Sequence, residues 1–458
     1  MTGRRGFLGM SAASGLLAMS GCAGVPAVTS SRSPNGRLRF AAIGCGRQGS
    51  YDIAQLASHR RIDVVALCDV DFAILKNLSA KYPKAKLYQH WREMLDREAP
   101  DAVLVATPDF SHADIICEAL GRGIAVYGEK PLCRTLEECE RIDRAVAAAG
   151  VPTQLGTQIA AWSCDRQTEV LLASGAIGEV RKVWLFSNTG VFERLVDRKW
   201  PMASSPVPET LDWKAWLGKA PARDYVAEVY HPFRWRAWRD FGSGWLGDLG
   251  SHLFSPVWLG LGMGRVTPTS VTAKVRDEKW SAEMRRQFLP IEAHLKFTYP
   301  GIKSSGGKPF EVEWCDGFEQ AKSETSKDLF LAKEDVAKFS SKSASSADEF
   351  LPPRRFREMA AKTPIGELPR QGRVVEGTNG WLISTHFNQP PVTLDKTLKP
   401  RPLSTLPYLE PNPTHYHEFI DACLDGGKTR SNFGWTVKLT ETIVRGNLAI
   451  AEAEKKLA

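Results

Sequence analysis

The sequence lacks what several large classes of protein require. Its nine cysteines include no CxxC pair, and no Cys/His spacing suits zinc. Most of them, such as Cys45, Cys68, Cys117 and Cys423, sit in apolar runs and read as small buried hydrophobes. No basic face stands out. Lys and Arg number 60 against 52 Asp and Glu. They are scattered apart from a cluster at Arg354, Arg355 and Arg357, which argues against a nucleic-acid partner. The apolar stretch near the N-terminus is shorter than the roughly 20 residues a membrane-spanning helix needs. No internal repeat is visible. What remains is the composition of a soluble globular protein, 43% hydrophobic and 24% charged. A length of 458 residues suggests two or three domains.

Residues 37–43 form a short apolar run that suits a buried parallel strand. Gly44-Cys45-Gly46-Arg47-Gln48-Gly49 follows at once, and a helical pattern starts after it. A glycine-rich turn between strand and helix is the context in which GxGxxG binds a dinucleotide. The first glycine permits the tight turn, the second lets backbone approach a pyrophosphate, and the third lets helix and strand pack closely. The helix N-terminus offers free N–H groups to the phosphates. A second strand, 63–68, ends at Asp69, where a carboxylate would accept from the ribose hydroxyls and repel a 2′-phosphate. NAD is therefore expected over NADP. Asp71 competes for that role, and Asp69 also suits a helix N-cap. Strands at 102–106 and 124–127 lead into Thr107-Pro108 with His112, and into Glu129-Lys130-Pro131. Thr135 and Glu138 have capping-box spacing ahead of a helix over 135–149. This alternation predicts a doubly wound parallel sheet.

The glycine turn, Thr107-Pro108 with His112, and Glu129-Lys130-Pro131, in that order and spacing, resemble the Gfo/Idh/MocA oxidoreductases. The resemblance implies an α/β fold: an N-terminal Rossmann domain and a C-terminal α+β domain with an open, mostly antiparallel sheet. It places Lys130 near the nicotinamide and the reacting carbon. An ammonium there can hydrogen-bond a substrate hydroxyl and stabilise alkoxide character as hydride leaves. Arg47, Gln48, Thr107, Pro108, His112, Glu129 and Gln158 join the glycines and Asp69 as expected cofactor contacts.

Past residue 156 the pattern changes, with helical character at 165–174 and strands at 181–186, 270–276 and 292–299. Asp248 and His252, four residues apart, share a face if helical. They resemble the family's Asp-x-x-x-His element, in which both side chains reach the carbon that exchanges hydride. A near-neutral imidazole is a natural base for the hydroxyl proton. The pair also has metal-ligand spacing, but no third ligand is evident and no metal is expected. Trp200, Trp213, Trp216, Trp235, Trp238, Trp245 and Trp258 crowd this region. Most should be core, with one or two facing a sugar ring. Tyr230, His231, Arg234, Trp235 and Trp245 are the candidate substrate contacts. The expected domains are 1–36 (signal and tether), 37–155 (cofactor), 156–410 (substrate) with a surface insertion at about 301–375, and C-terminal helices over 411–458.

Arg4-Arg5, with the short apolar stretch after it, resembles a twin-arginine export signal. Met19-Ser20-Gly21-Cys22 resembles a lipobox, although Met stands where Leu is commoner. The expected location is the periplasm, with membrane contact only through a lipid on Cys22. Free nicotinamide nucleotide is scarce there, so the cofactor should be held tightly and restored within each cycle. Two enzymatic readings fit: oxidation of a CH–OH group of a sugar, glycoside or polyol, or an NAD-dependent glycoside hydrolase. A binding protein without catalysis is disfavoured by the Lys–Asp–His set. A small carbohydrate and further copies of the chain are the expected partners.

Overall fold

The computed structural model describes residues 36–189, 201–276, 281–317, 347–386, 389–401 and 414–456. The twin arginines, Cys22 and Trp200 lie outside the described residues, as does the polar stretch 318–346.

The first domain alternates strand and helix. Its strands are β1 (Leu38–Ile43), β2 (Ile62–Cys68), β3 (Lys86–Tyr88), β4 (Ala102–Val105), β5 (Ala125–Gly128) and β6 (Thr153–Leu155). Between them run α1 (Arg47–Ala57), α2 (Phe72–Ser79), α3 (Trp91–Glu98), α4 (Asp109–Gly121) and α5 (Leu136–Ala149). The sheet is parallel, in the order β3-β2-β1-β4-β5-β6. The order reverses between β1 and β4, and ligands bind at the carboxyl ends of strands beside such a switch point. β4 and β5 are buried along their whole length, which is why they read as unbroken apolar runs. Thr135 caps α5 in a full capping box with Glu138.

The second domain holds α6 (Ser163–Ala173), β7 (Val180–Ser187), α7 (Trp213–Leu217), α8 (Gly244–Gly260), β8 (Ser270–Arg276), α9 (Ala282–Gln287), β9 (Glu292–Tyr299) and β10 (Phe310–Cys315). After it come α10 (Arg355–Ala361), β11 (Gln371–Gly377), β12 (Gly380–Thr385) and β13 (Val392–Leu394). Its seven strands run β13-β12-β11-β7-β10-β9-β8, antiparallel except for β7 with β10. Val183 and Leu185 of β7 face the main core, while Trp184 and Phe186 face a second cluster on the other side.

The stretch 301–375 is not one surface insertion. β10 lies between β7 and β9 near the middle of the sheet, and β11 pairs with β7. Phe310, Val312 and Trp314 point into the core while Glu311 and Glu313 pair with Lys182 outside. Even α10 is docked: Phe356, Met359 and Ala360 cover Trp184 and Phe186.

Two C-terminal helices, α11 (His415–Asp425) and α12 (Phe433–Lys455), return to the first domain. α11 packs Tyr416, Phe419, Ile420 and Cys423 on one face of the parallel sheet. α12 serves both domains. Its Phe433, Val437 and Val444 join the cofactor-domain core, and its Leu439, Ile443 and Ile450 join the second. Each such side chain contributes roughly 1.5–3 kcal/mol on burial, so this helix resists separation of the domains.

Removing the α5 cap should cost little but measurably. Thr135→Ala is expected to lower unfolding stability by about 1 kcal/mol with an unchanged urea m-value. A midpoint equal to wild type would show that the cap carries no weight.

Candidate active site

The glycine turn is built as a close approach of backbone to backbone. Gly44 holds φ +86°, and a Cβ there would lie 2.5 Å from the Ala106 carbonyl carbon. A Cβ at Gly49 would collide with the Gly44 carbonyl oxygen. Asp69, at the end of β2, accepts from the Cys45 N–H at 2.8 Å and from the Asp71 N–H at 3.0 Å. It therefore braces the turn while lining the groove beside it. The cap of α2 is Asp71, whose carboxylate accepts from the Ala73 N–H at 3.0 Å.

A groove of about 420 Å³ runs from this turn. Its floor includes Gly44, Gly46, Arg47, Gln48, Asp69, Thr107 and Pro108. Its roof comes from the second domain, at Trp216, Lys219, His231, Trp235 and Arg236. Phe72 N–H donates to Thr210 O at 2.8 Å, and Asp212 N–H to Val70 O at 2.9 Å, tying the roof to the floor. His231 adds a contact of 3.1 Å to Asp71. The Phe233 ring sits between two guanidiniums, Arg47 at 4.4 Å and Arg236 at 4.5 Å from its centroid. Two cations are thus held at the phosphate turn, one from each domain.

Arg236 also links the groove to the charged cluster beyond it. Its Nε lies 3.9 Å from Asp248 Oδ1. Lys130 Nζ, from the first domain, donates to the same oxygen at 2.6 Å and to the Asp248 carbonyl at 2.7 Å. An ammonium has three donors, so one remains for a substrate oxygen. Burial opposes the charge on Asp248, but Lys130 and Arg236 hold its carboxyl below the usual value. His252 lies one turn along α8 and is buried, and its Nδ1 has no hydrogen-bond partner. Burial first, then the Lys130 charge, push its pKa well below 6.5, so the ring is neutral at pH 7. A neutral imidazole beside a charged Lys–Asp pair can accept a proton.

Several expected contacts have other duties. His112 is buried, with Nδ1 2.8 Å from Pro131 O and Nε2 2.7 Å from Thr107 O. It clamps two motif loops and is not a groove contact. Gln48 donates to the buried Asp52 at 2.8 Å, and Gln158 to Glu129 at 2.5 Å. Burial pushes the carboxyls of both Asp52 and Glu129 up. Glu129 and Gln158 thus lie behind the lysine loop, outside the residues that line the groove.

Of the substrate candidates, Tyr230 is core: its ring packs against Trp213, Trp238 and Phe241 and is 1% exposed. Trp245 is also buried and donates its indole N–H to Ser187, which anchors α8 to β7. Arg234 is not a groove residue, whereas Arg236, two positions on, is. His231 and Trp235 do line the groove, on its roof. Among the described residues no group of three or more His, Cys, Asp or Glu could hold a metal ion.

Two family models match the chain. One, the NAD-binding Rossmann fold of the GFO_IDH_MocA oxidoreductases, matches residues 38–157, and the other, that family's C-terminal alpha/beta domain, matches residues 164–289. The chain belongs to the Gfo/Idh/MocA family. An inositol 2-dehydrogenase of Pseudarthrobacter chlorophenolicus is 38% identical over 116 residues, covering 25% of this chain and 34% of that protein. An alpha-N-acetylgalactosaminidase of Shewanella oneidensis is 31% identical over 114 residues, 23% of this chain and 25% of that one. The chain thus spans about a third or less of the length of these curated relatives. Among solved structures, an aldose-aldose oxidoreductase from Caulobacter crescentus shares the fold over 92% of this chain and 98% of its own, with TM-score 0.56 and 16% identity. The first domain is therefore the family's NAD-binding Rossmann fold. The tight turn, which a Cβ at Gly44 or Gly49 would disrupt, and the paired cations beside it suit the dinucleotide.

Gly49→Ala should weaken NAD binding roughly 10-fold or more, read by calorimetric titration of the protein with NAD. An affinity equal to wild type would refute the close-approach argument. Lys130→Met removes a positive neighbour of His252, so the His252 pKa should rise. Histidine C–H resonances followed by NMR between pH 4 and 8 report it, and a fall or no change would contradict the assigned geometry.

Proposed function

We propose that this chain is an exported NAD-dependent oxidoreductase acting on a CH–OH group of a sugar, glycoside or polyol. One observation carries the reading. Lys130 of one domain and Asp248 of the other meet at 2.6 Å, Arg236 of the groove lining lies 3.9 Å from the same carboxylate, and His252 is one turn further on. NAD, when bound, supplies the hydride acceptor. Lys130 offers its remaining N–H to the reacting oxygen and stabilises negative charge as it develops there. His252, neutral through burial, takes the hydroxyl proton. Asp248 keeps the ammonium in place, and Arg236 on the roof, stacked over the Trp235 ring at 4.3 Å, offers a fixed donor to a sugar hydroxyl.

The roof supports retention of the cofactor between turnovers, since the Phe72–Thr210 and Asp212–Val70 hydrogen bonds tie it to the cofactor domain. Retention in turn suits the twin arginines at the N-terminus, because a periplasmic enzyme has little free nucleotide to draw on. A bound cofactor would be restored by reducing a second substrate. Lipidation at Cys22 and self-association belong to the same proposal and rest on the sequence alone.

A second reading uses the same residues and is favoured by the similarity to a protein named alpha-N-acetylgalactosaminidase. Transient oxidation of a ring hydroxyl acidifies the neighbouring C–H. The glycosidic bond is lost by elimination, water adds, and the carbonyl is reduced again. No outside oxidant is consumed.

The deciding experiment incubates the purified mature protein, without added cofactor, with sugars, polyols and nitrophenyl glycosides. Up to one equivalent of NADH without nitrophenol is expected. Nitrophenol release would replace the dehydrogenase reading with the hydrolase one, and the absence of both would sink the two together. Lys130→Met and His252→Ala should each lower turnover roughly 100-fold or more; full activity in either would remove that residue from the mechanism.

A further inference from the structure

We propose that Arg373 is a positioning residue for His252, holding the carbonyl that Pro256 leaves without a helical donor. The proposal rests on the catalytic reading of His252 given above.

α8 runs from Gly244 to Gly260 with Pro256 inside it. In an α-helix the N–H of residue 256 would bond the carbonyl of residue 252. Proline has no N–H and its ring crowds that carbonyl, so the helix continues but its hydrogen-bond ladder lacks a link at His252 itself. The position is buried, where a carbonyl left without a donor is costly. Arg373, projecting from β11, supplies the donor. Its Nη2 reaches His252 O at 2.9 Å, and its Nε reaches Leu253 O at 2.7 Å. One edge of the guanidinium thus grips two successive carbonyls at the interruption.

The rest of the guanidinium is anchored. Nη1 and Nη2 donate to the two oxygens of Asp165, on α6, at 2.8 and 3.1 Å. Nη1 also reaches Thr385 O at 3.2 Å and Ser384 Oγ at 3.3 Å, at the end of β12. The five N–H donors of an arginine are all used. Both partners of the ion pair are sealed from water, at 0% and 1% side-chain exposure. A lysine has neither the planar fork nor the reach to span Asp165 and both carbonyls. Arg373 touches no substrate, but it sets the backbone from which the His252 ring projects. It also contributes charge: Lys130, Asp248, Arg373, His415 and the neighbouring His386 are the titratable groups facing His252. The ring of His386 is 5.5 Å from that of His252.

The test uses the mature chain with its bound NAD. Arg373→Met alone would strand Asp165 as a lone buried charge, so the main variant is Arg373→Met with Asp165→Leu, which removes both charges together. The first readout needs no substrate: the His252 C–H resonance, identified by its loss in His252→Asn, is followed against pH. Its midpoint should move upward in the paired variant, since Arg373 lowers it while Asp165, removed with it, is not among the groups facing the ring. The second readout is turnover on whichever substrate the wild type accepts. Here kcat should fall roughly 10- to 100-fold, with KM within about twofold. Arg373→Lys should not restore it. Adding Pro256→Ala to the paired variant should restore part of it, because residue 256 then donates to the His252 carbonyl. A paired variant with wild-type kcat, or an unmoved His252 titration, overturns the proposal. If the wild type turns over no carbohydrate, the functional reading fails, and the titration alone still decides whether Arg373 acts on His252. Should the paired variant not fold, Arg373→Lys decides the matter: its kcat should fall by the same factor with KM within about twofold, and a wild-type kcat overturns the proposal.

Discussion

The Lys130–Asp248 ion pair bridges the two domains, and much of the architecture can be understood as what makes it tolerable. Two charges largely removed from water lose several kcal/mol of hydration each, and recover it only when geometry and further hydrogen bonds are good. Here the Asp248 carbonyl gives Lys130 a second acceptor, and Arg236 adds a second cation beside the carboxylate. The partners arrive from different folding units, so Lys130 meets this carboxylate only when the two domains come together. α12, buried in both cores, keeps the units together.

The same junction shapes the cofactor groove. A Rossmann domain by itself presents an open cleft at its switch point. In this chain the segment 210–236 crosses that cleft and bonds to β2 and α2 on the far side. Phe233, in contact with both Arg47 and Arg236, couples the phosphate turn to the Lys130–Asp248 pair through two cation–π contacts and Arg236. The charged cluster and the roof are therefore one structural unit, and loosening one disturbs the other.

Elements whose signals are local were the legible ones. Strand, glycine turn and helix follow one another within a dozen residues, and the Thr135–Glu138 cap is complete within four. The Asp248–His252 spacing places both on adjoining turns of α8 without reference to anything distant. Where signals competed, reading was harder. Polar residues after 315 drew β10 and β11 into an apparent insertion, although the Phe310-Val312-Trp314 alternation marks a strand. Within Phe233–Arg239 the charges are too close in sequence to tell which faces the groove. The short 3-10 turn at 234–237 decides it in favour of Arg236 over Arg234. His112, expected as a cofactor contact, turns both ring nitrogens to backbone carbonyls, partners that no side-chain pattern reveals.

The amino-acid sequence by itself determined the chemistry on offer: a phosphate turn, an acidic end to β2, a lysine after β5, and a carboxylate and imidazole one helical turn apart. These depend on short-range geometry, which spacing encodes. Tertiary structure alone decided how that chemistry is held. The meeting of Lys130 with Asp248 spans 118 residues, and that of Arg373 with His252 spans 121. A carbonyl freed by proline carries no mark of which distant donor will fill it. That partner is chosen by packing: β11 must lie beside β7, and α6 beside α8, before a guanidinium can reach the helix and its carboxylate at once.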